Sequence, residues 1–129
     1  MLMVKTTIGP SNIDGIGLFA DQLITKGTPV WKFARGFDLQ VGKLEIEKLA
    51  APAQEQFKKY SYLNPATAKY ILCFDDARFF NHSETPNCDD VVSSAESEGL
   101  TVANKDIQPG EELTCNYRIF DADFDHKNI

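Results

Sequence analysis

The chain has 129 residues, 43% of them hydrophobic, and its 19 acidic side chains outnumber 13 Lys plus Arg, giving a formal net charge of -6 and a pI near 4.8. This length predicts one domain that buries roughly two thirds of the surface its unfolded form exposes. The charge argues against a nucleic-acid backbone as a direct partner and favours a cationic one, although acidity also serves solubility alone. No stretch approaches the roughly 18 apolar residues of a membrane span, and the opening MLMVKTTIGPSN has no signal-like apolar run. Three widely spaced cysteines, Cys73, Cys88 and Cys115, are odd in number and form no C-x-x-C, so they read as reduced thiols. The expected location is the cytoplasm, with delivery into a host cell without a classical signal peptide as the alternative.

In chain order, MVKTTI at 3–8, LFA at 18–20 and TPVWKF at 28–33 predict short strands, because β-branched and aromatic residues stand between Gly and Pro. Over 41–60 the pattern becomes helical. Ile46, Leu49, Ala50, Ala53, Phe57 and Tyr60 recur on one face, with charged residues between them and a break or restart near Pro52. Strands are again predicted at 69–74 (KYILCF), 90–92 (DVV) and 99–107 (GLTVANKDI). Pro109-Gly110 then sits at the centre of a type II turn leading into a final strand. The tail from Arg118, RIFDADFDHKNI, is either a docked flap or a frayed end.

The densest chemistry lies at 79–90, FFNHSETPNCDD. A zinc site built on His82 and Cys88 would lack the paired short spacings such sites require. A Cys88 nucleophile could draw a base only from His82 or from His126 in the tail. Buried, unreactive thiols are the simpler reading of all three cysteines. Gly15-Ile16-Gly17 is by itself only a pair of glycines that tolerate φ > 0. With no helix pattern after it and no Walker lysine, it supports neither dinucleotide nor P-loop binding, yet it permits close backbone approach by a ligand.

Three motifs stand in a definite order: NIDGIGLFA at 12–20, ARFFNHSETPNC at 77–88 and PGEELTCNY at 109–117. Together they resemble the SET-domain protein lysine methyltransferases across essentially the whole chain, most nearly the minimal viral and bacterial SET proteins. The resemblance implies a mainly β fold of the β-clip-like SET type, with small curved sheets, one amphipathic helical insert at 41–61 and a C-terminal pseudoknot. In that knot the segment ending at Tyr117 passes beneath a loop near Asn81 and His82. The whole of 1–129 would be a single SET domain ending in a short tail at 118–129.

The resemblance also implies S-adenosyl-L-methionine as cofactor, a protein substrate rich in Lys and Arg, and no bound metal. Gly15, Ile16 and Gly17 would lay their backbone along the cofactor, with Asn81 and His82 holding its amino and adenine ends. Arg78 would anchor the cofactor or brace the knot, against the plainer reading of a partner for nearby acids. Tyr117 would be the catalytic residue beside the reacting methyl group, against that of a core tyrosine. Tyr62 would line the lysine channel, with Tyr60 and Tyr70 as competitors, and Cys115 would stand where many members carry Phe or Tyr. No cysteine follows Cys115, so Phe120 or Phe124 would close the cofactor site in place of a zinc cluster; Phe120 is taken as the cofactor contact. Ala34 occupies the place of a channel tyrosine in several members. A module that binds a basic peptide without turnover and a thiol hydrolase using Cys88 and His82 are the rival functions.

Overall fold

The computed structural model describes residues 1–93 and 96–124. Its framework is four small sheets, and the mainly β class expected from the sequence is what is observed. An antiparallel hairpin comes first: β1 (Thr6–Pro10) pairs with β2 (Ile16–Ala20), placing Ile8 opposite Leu18. Gly15 in the connection takes φ +47, a left-handed conformation that glycine adopts without steric cost. Next comes β3 (Pro29–Lys32), which lies antiparallel to a later strand in a three-stranded sheet described below.

The helical expectation for 41–60 needs correction at its start. Val41 lies in β4 (Leu39–Gly42), opposite Tyr70, and helix begins only with α1 (Lys43–Glu47). The spacing Val41–Ile46 fits neither three nor four residues, and Gly42 between them caps the helix in an extended conformation. The chain restarts as α2 (Ala51–Tyr60) with Pro52 in its first turn, where proline's missing N–H costs nothing. Ile46 of α1 is fully buried, whereas α2 buries no side chain completely. Phe57 and Tyr60 of α2 rest edge-on against Tyr70 and Phe79.

After α2, β5 (Tyr62–Leu63) and β6 (Lys69–Leu72) complete a sheet of order β4-β6-β5. A single 3-10 turn over Asp76–Phe79, capped by the Asp75 carboxylate, delivers the chain to β7 (Asn81–His82). β8 (Cys88–Ser93) and β9 (Glu96–Ala103) then form the sheet of order β3-β9-β8. At Pro109-Gly110 the turn forms as expected: Gly110 has φ +90 and Glu111 N–H donates to Gln108 O at 3.1 Å. The strand beyond it is shorter than expected, only β10 (Thr114–Cys115).

β10 lies parallel to β7, with Thr114 opposite Asn81 and Cys115 opposite His82. Leu113 N–H donates to Leu18 O at 2.8 Å, and Ser83 N–H donates to Cys115 O at 3.1 Å. Asn87 completes the clamp, donating from Nδ2 to Glu112 O at 2.8 Å and accepting at Oδ1 from Thr114 N–H at 2.9 Å. The C-terminal segment is thus held between β2 on one side and the 81–87 loop on the other.

Leu18, Ile24, Val30, Cys88, Ile107 and Leu113 are fully buried at the centre of the core. Each large apolar side chain there contributes about 1.5–3 kcal/mol relative to exposure. The tail is docked as far as Phe124. After α3 (Tyr117–Phe120), the buried Asp121 accepts from Leu63 N–H at 2.9 Å, and Ala122 N–H donates back to Leu63 O at 2.8 Å. His126 lies outside the described residues.

Candidate cofactor and substrate site

β7, β10 and the turn before β2 bring the three motifs to one place. Asn81 Nδ2 lies 3.0 Å from Ser11 Oγ, 2.9 Å from Glu112 Oε2, 3.1 Å from Asp14 O and 3.4 Å from Ile16 O. Its two hydrogens are shared among these acceptors. The Oδ1 atom accepts no hydrogen bond among the described residues. Ser11 Oγ also donates to the Glu112 carboxylate at 2.8 Å, so Glu112 gathers the glycine loop and the Asn-His segment together.

His82 is held in one tautomer. Its Nδ1 accepts from Tyr117 N–H at 3.1 Å, which leaves the hydrogen on Nε2 to donate to Glu84 Oε1, also at 3.1 Å. Arg118 Nε donates to the same Glu84 oxygen at 2.8 Å, and Arg118 and His82 together hold this exposed carboxyl below its usual range. The His82 ring lies 4.7 Å from that of Phe124.

Tyr117 Oη donates to Phe80 O at 2.6 Å. Desolvation pushes the phenol well above its ordinary pKa of 10, so the hydroxyl stays protonated at neutral pH. Two cavities meet at this residue. The larger, about 290 Å³, is lined by Asp14, Gly15, Ile16, Asn81 and His82. The narrower, about 30 Å³, is lined by Trp31, Tyr62, Cys73, Asp90, Cys115 and Phe120. Tyr60, Arg78, Phe80 and Tyr117 line both.

Most of the residues singled out in the sequence therefore come together, in a particular division. Gly15 and Ile16 line the larger cavity. Gly17 does not: a Cβ there would stand 2.5 Å from Glu112 Oε2 and 3.0 Å from Ser11 Cβ, so this glycine serves the close approach of Glu112. The Arg78 guanidinium lies over the Phe79 ring at 5.3 Å and makes no ion pair among the described residues, which removes the reading of a partner for acids. Tyr62, Cys115 and Phe120 all line the narrow cavity; Phe120 packs between Tyr62 at 5.1 Å and Tyr117 at 4.9 Å. The aromatic beside His82 is Phe124. Tyr70 faces Phe57 and Asp123.

The Cys88–His82 hydrolase does not survive the geometry. Cys88 is fully buried, burial pushes its thiol up to about 12, and both His82 nitrogens are engaged elsewhere. Among the described residues no three of His, Cys, Asp or Glu gather as a metal site would require. Ser11, Glu112, Asp90, Trp31 and Thr101 were not singled out in the sequence. The G-E-E-L context could have flagged Glu112; nothing local marks the others.

The SET-domain family model matches residues 15–118, and the chain belongs to the SET-domain family. It is 31% identical over 120 residues to the H3 lysine-4 specific histone-lysine N-methyltransferase of Schizosaccharomyces pombe, an alignment covering 85% of this chain and 12% of the relative. It is 28% identical over 119 residues to human histone-lysine N-methyltransferase 2D, covering 91% and 2% respectively. The chain thus spans a small fraction of these relatives.

Solved structures that share its fold include two examples. One is a Plasmodium falciparum protein described as a candidate histone methyltransferase, with TM-score 0.61 and 20% identity over 90% of this chain and 95% of that one. The other is a humanized Chaetomium thermophilum Polycomb Repressive Complex 2 bound to the inhibitor GSK126, with TM-score 0.68 and 22% identity over 92% and 15%.

Proposed function

We propose that this chain transfers a methyl group from S-adenosyl-L-methionine to a lysine ε-amine in a Lys/Arg-rich protein, such as a basic chromosomal protein. The observation that carries this reading is Tyr117: of the two phenols, Tyr60 and Tyr117, in the shared wall of the wide cavity and the narrow one, Tyr117 is the one held protonated by burial and fixed by its bond to Phe80 O.

The wide cavity fits the cofactor. The position a Cβ would take at Gly15 has nothing within 4 Å, Asn81 offers an unused carbonyl oxygen to an ammonium group, and the Arg78 guanidinium is available to a carboxylate. His82, fixed as the Nε2–H tautomer and backed by Phe124, supplies a flat face and a defined edge to the purine end. When bound, this cofactor supplies an electrophilic methyl group.

The rest is alignment. A lysine must react as the neutral amine, and at a pKa of about 10.4 that form costs about 4.6 kcal/mol at pH 7. Aromatic and thiol walls, which solvate a cation poorly, favour the neutral form. Tyr117 cannot act as base, because its proton is held by burial and given to Phe80 O. Its oxygen retains lone pairs toward the reacting groups, so it orients them, and positioning of this kind supplies several kcal/mol of barrier lowering.

Kinship of the chain with the minimal viral and bacterial SET proteins remains part of this proposal. The chain's net acidity suits a basic protein substrate and disfavours direct nucleic-acid binding. The alternative, a basic-peptide module without turnover, is left open by Cys115 in the wall of the narrow cavity and by Ala34 in the place of a channel tyrosine. Calorimetric titration with the cofactor, followed by mass spectrometry of a treated lysate, separates the two. Binding together with methylated lysine supports the enzyme. Peptide binding without methylation supports the module, and no cofactor heat contradicts the enzyme.

A further inference from the structure

The narrow cavity contains a carboxylate that the reaction as described does not use. Strand register puts it there: Asp90 of β8 stands opposite Thr101 of β9, and Thr101 stands opposite Trp31 of β3. Asp90, Thr101 and Trp31 therefore form one row across the sheet, and all three line the cavity. Gly99, two residues before Thr101 and so on the same face, gives the carboxylate room. A Cβ at Gly99 would lie 3.1 Å from Asp90 Oδ1.

Neither polar end of this row has a partner among the described residues. Asp90 accepts no hydrogen bond and makes no ion pair among the described residues, and Trp31, only 4% exposed, buries its Nε1 without a partner. The remaining titratable groups around the cavity are Arg78, Cys73, Cys115 and the phenols of Tyr60, Tyr62 and Tyr117. Burial keeps both thiols and Tyr117 neutral, while the Arg78 guanidinium, lying over the Phe79 ring, is the one Lys or Arg cation lining the cavity among the described residues. Asp90 is thus the one anion lining the cavity among the described residues, and Arg78 does not pair with it. Such a group calls for a slender cation, and a lysine side chain ends in one.

We propose that Asp90 is the substrate-receiving residue of this site: its carboxylate pairs with the incoming lysine ε-ammonium and draws the side chain into the narrow cavity. This rests on the substrate reading above. It concerns capture only: the ion pair favours the charged amine, which must leave Asp90 and give its proton to solvent before attack, so Asp90 acts on peptide affinity and not on the transfer step. An anion here also offsets the repulsion between a cationic side chain and a cationic cofactor. Burial raises the Asp90 carboxyl to about 6, so capture should weaken as pH falls through that value.

The test is calorimetric titration of the protein with a lysine-rich peptide and, separately, with its fully ε-acetylated form. The wild type is expected to bind the free-amine peptide at least tenfold more tightly, and Asp90→Asn to lose most of that preference with cofactor affinity unchanged. In the wild type the preference should also shrink below about pH 6. If Asp90→Asn does not melt cooperatively, Asp90→Ser and the wild-type pH series are read instead. A wild type that fails to discriminate, a preference unchanged by pH between 5 and 8, or a folded variant that keeps the preference each overturns the assignment. Absence of methyl transfer in the same preparation would count against the proposed reaction, while these affinities would still decide the role of Asp90.

Discussion

Asn81 Nδ2 donates to Glu112 Oε2 at 2.9 Å, joining the Asn-His motif to the G-E-E-L motif across 31 residues of chain. Ser11, bonded to both, adds the glycine loop to the same point. The amide is consequently a brace and, in the proposed reading, its free Oδ1 is a cofactor contact. Replacing it with Ala removes the contact and leaves Glu112 less well paired. We expect Asn81→Ala to weaken cofactor binding about tenfold or more while the protein still folds. Unchanged affinity in a calorimetric titration would refute this. Asn81→Asp should be worse, setting a second carboxylate against Glu112. Its melting temperature should recover as pH falls, because protonating either partner relieves the repulsion.

The two glycines of the loop should respond differently. At Gly17 an added Cβ meets Glu112 Oε2 at 2.5 Å and Cδ at 2.9 Å, and giving way would break the bond to Asn81. Gly17→Ala should therefore cost about 1–3 kcal/mol and loosen cofactor binding. Gly15→Ala meets nothing within 4 Å and pays only for its left-handed backbone, about 1 kcal/mol. Denaturant melts of the two variants compare these directly, and equal losses would contradict the packing described.

How much of this was legible beforehand depends on whether a feature is local. The motif residues Asn81, His82 and Tyr117 were readable because each sits in a contiguous stretch with its own signature. The type II turn was readable because Pro-Gly encodes it in two residues. Val41 was misread as helical because an apolar residue at a helix margin looks the same as one ending a strand; its pairing with Tyr70 is what decides. Phe120 and Phe124 were interchangeable in sequence, and only the short α3 turns one toward Tyr62 and the other toward His82. Asp90 and Trp31 could not have been linked, since they meet through two strand registers over 59 positions of chain.

Asp90 should reveal itself in stability as well as in binding. Burial lifts its carboxyl from 3.8 to about 6, so the folded chain holds that proton more tightly than the unfolded chain does. The penalty for ionising it is absent below about pH 4, grows between 4 and 6, and is complete above. Asp90→Asn should thus be more stable than the wild type at pH 7.5, by about 1–3 kcal/mol at 1.36 kcal/mol per pKa unit, with the gap closing near pH 3.5. Paired thermal melts at the two pH values test it; a destabilised variant at pH 7.5 would show the carboxylate to be a structural group.

The thiols should be inert. Cys73, Cys88 and Cys115 are buried, and desolvation raises each above the ordinary thiol range. An aromatic disulfide reagent should find almost none of them at pH 8 until denaturant is added, and alkylating agents should leave activity intact. Chelation should leave it intact as well. Rapid labelling of Cys88 in the native protein, with loss of activity, would reopen the thiol chemistry set aside here.

The most direct measurement of the central claim is transfer of an isotopically labelled methyl group from S-adenosyl-L-methionine to a Lys/Arg-rich protein, comparing wild type with Tyr117→Phe in preparations matched for folding and cofactor affinity. The ring still packs in the variant, and the lost bond to Phe80 O should cost only about 1 kcal/mol of stability. If the hydroxyl aligns the methyl group and the amine, losing it should remove about 3–4 kcal/mol from the transition state and slow the reaction a hundredfold or more. The account predicts label on lysine with the wild type and almost none with Tyr117→Phe. A folded, cofactor-binding variant that transfers label as fast as the wild type, or a wild type that transfers none to any basic protein, would contradict it.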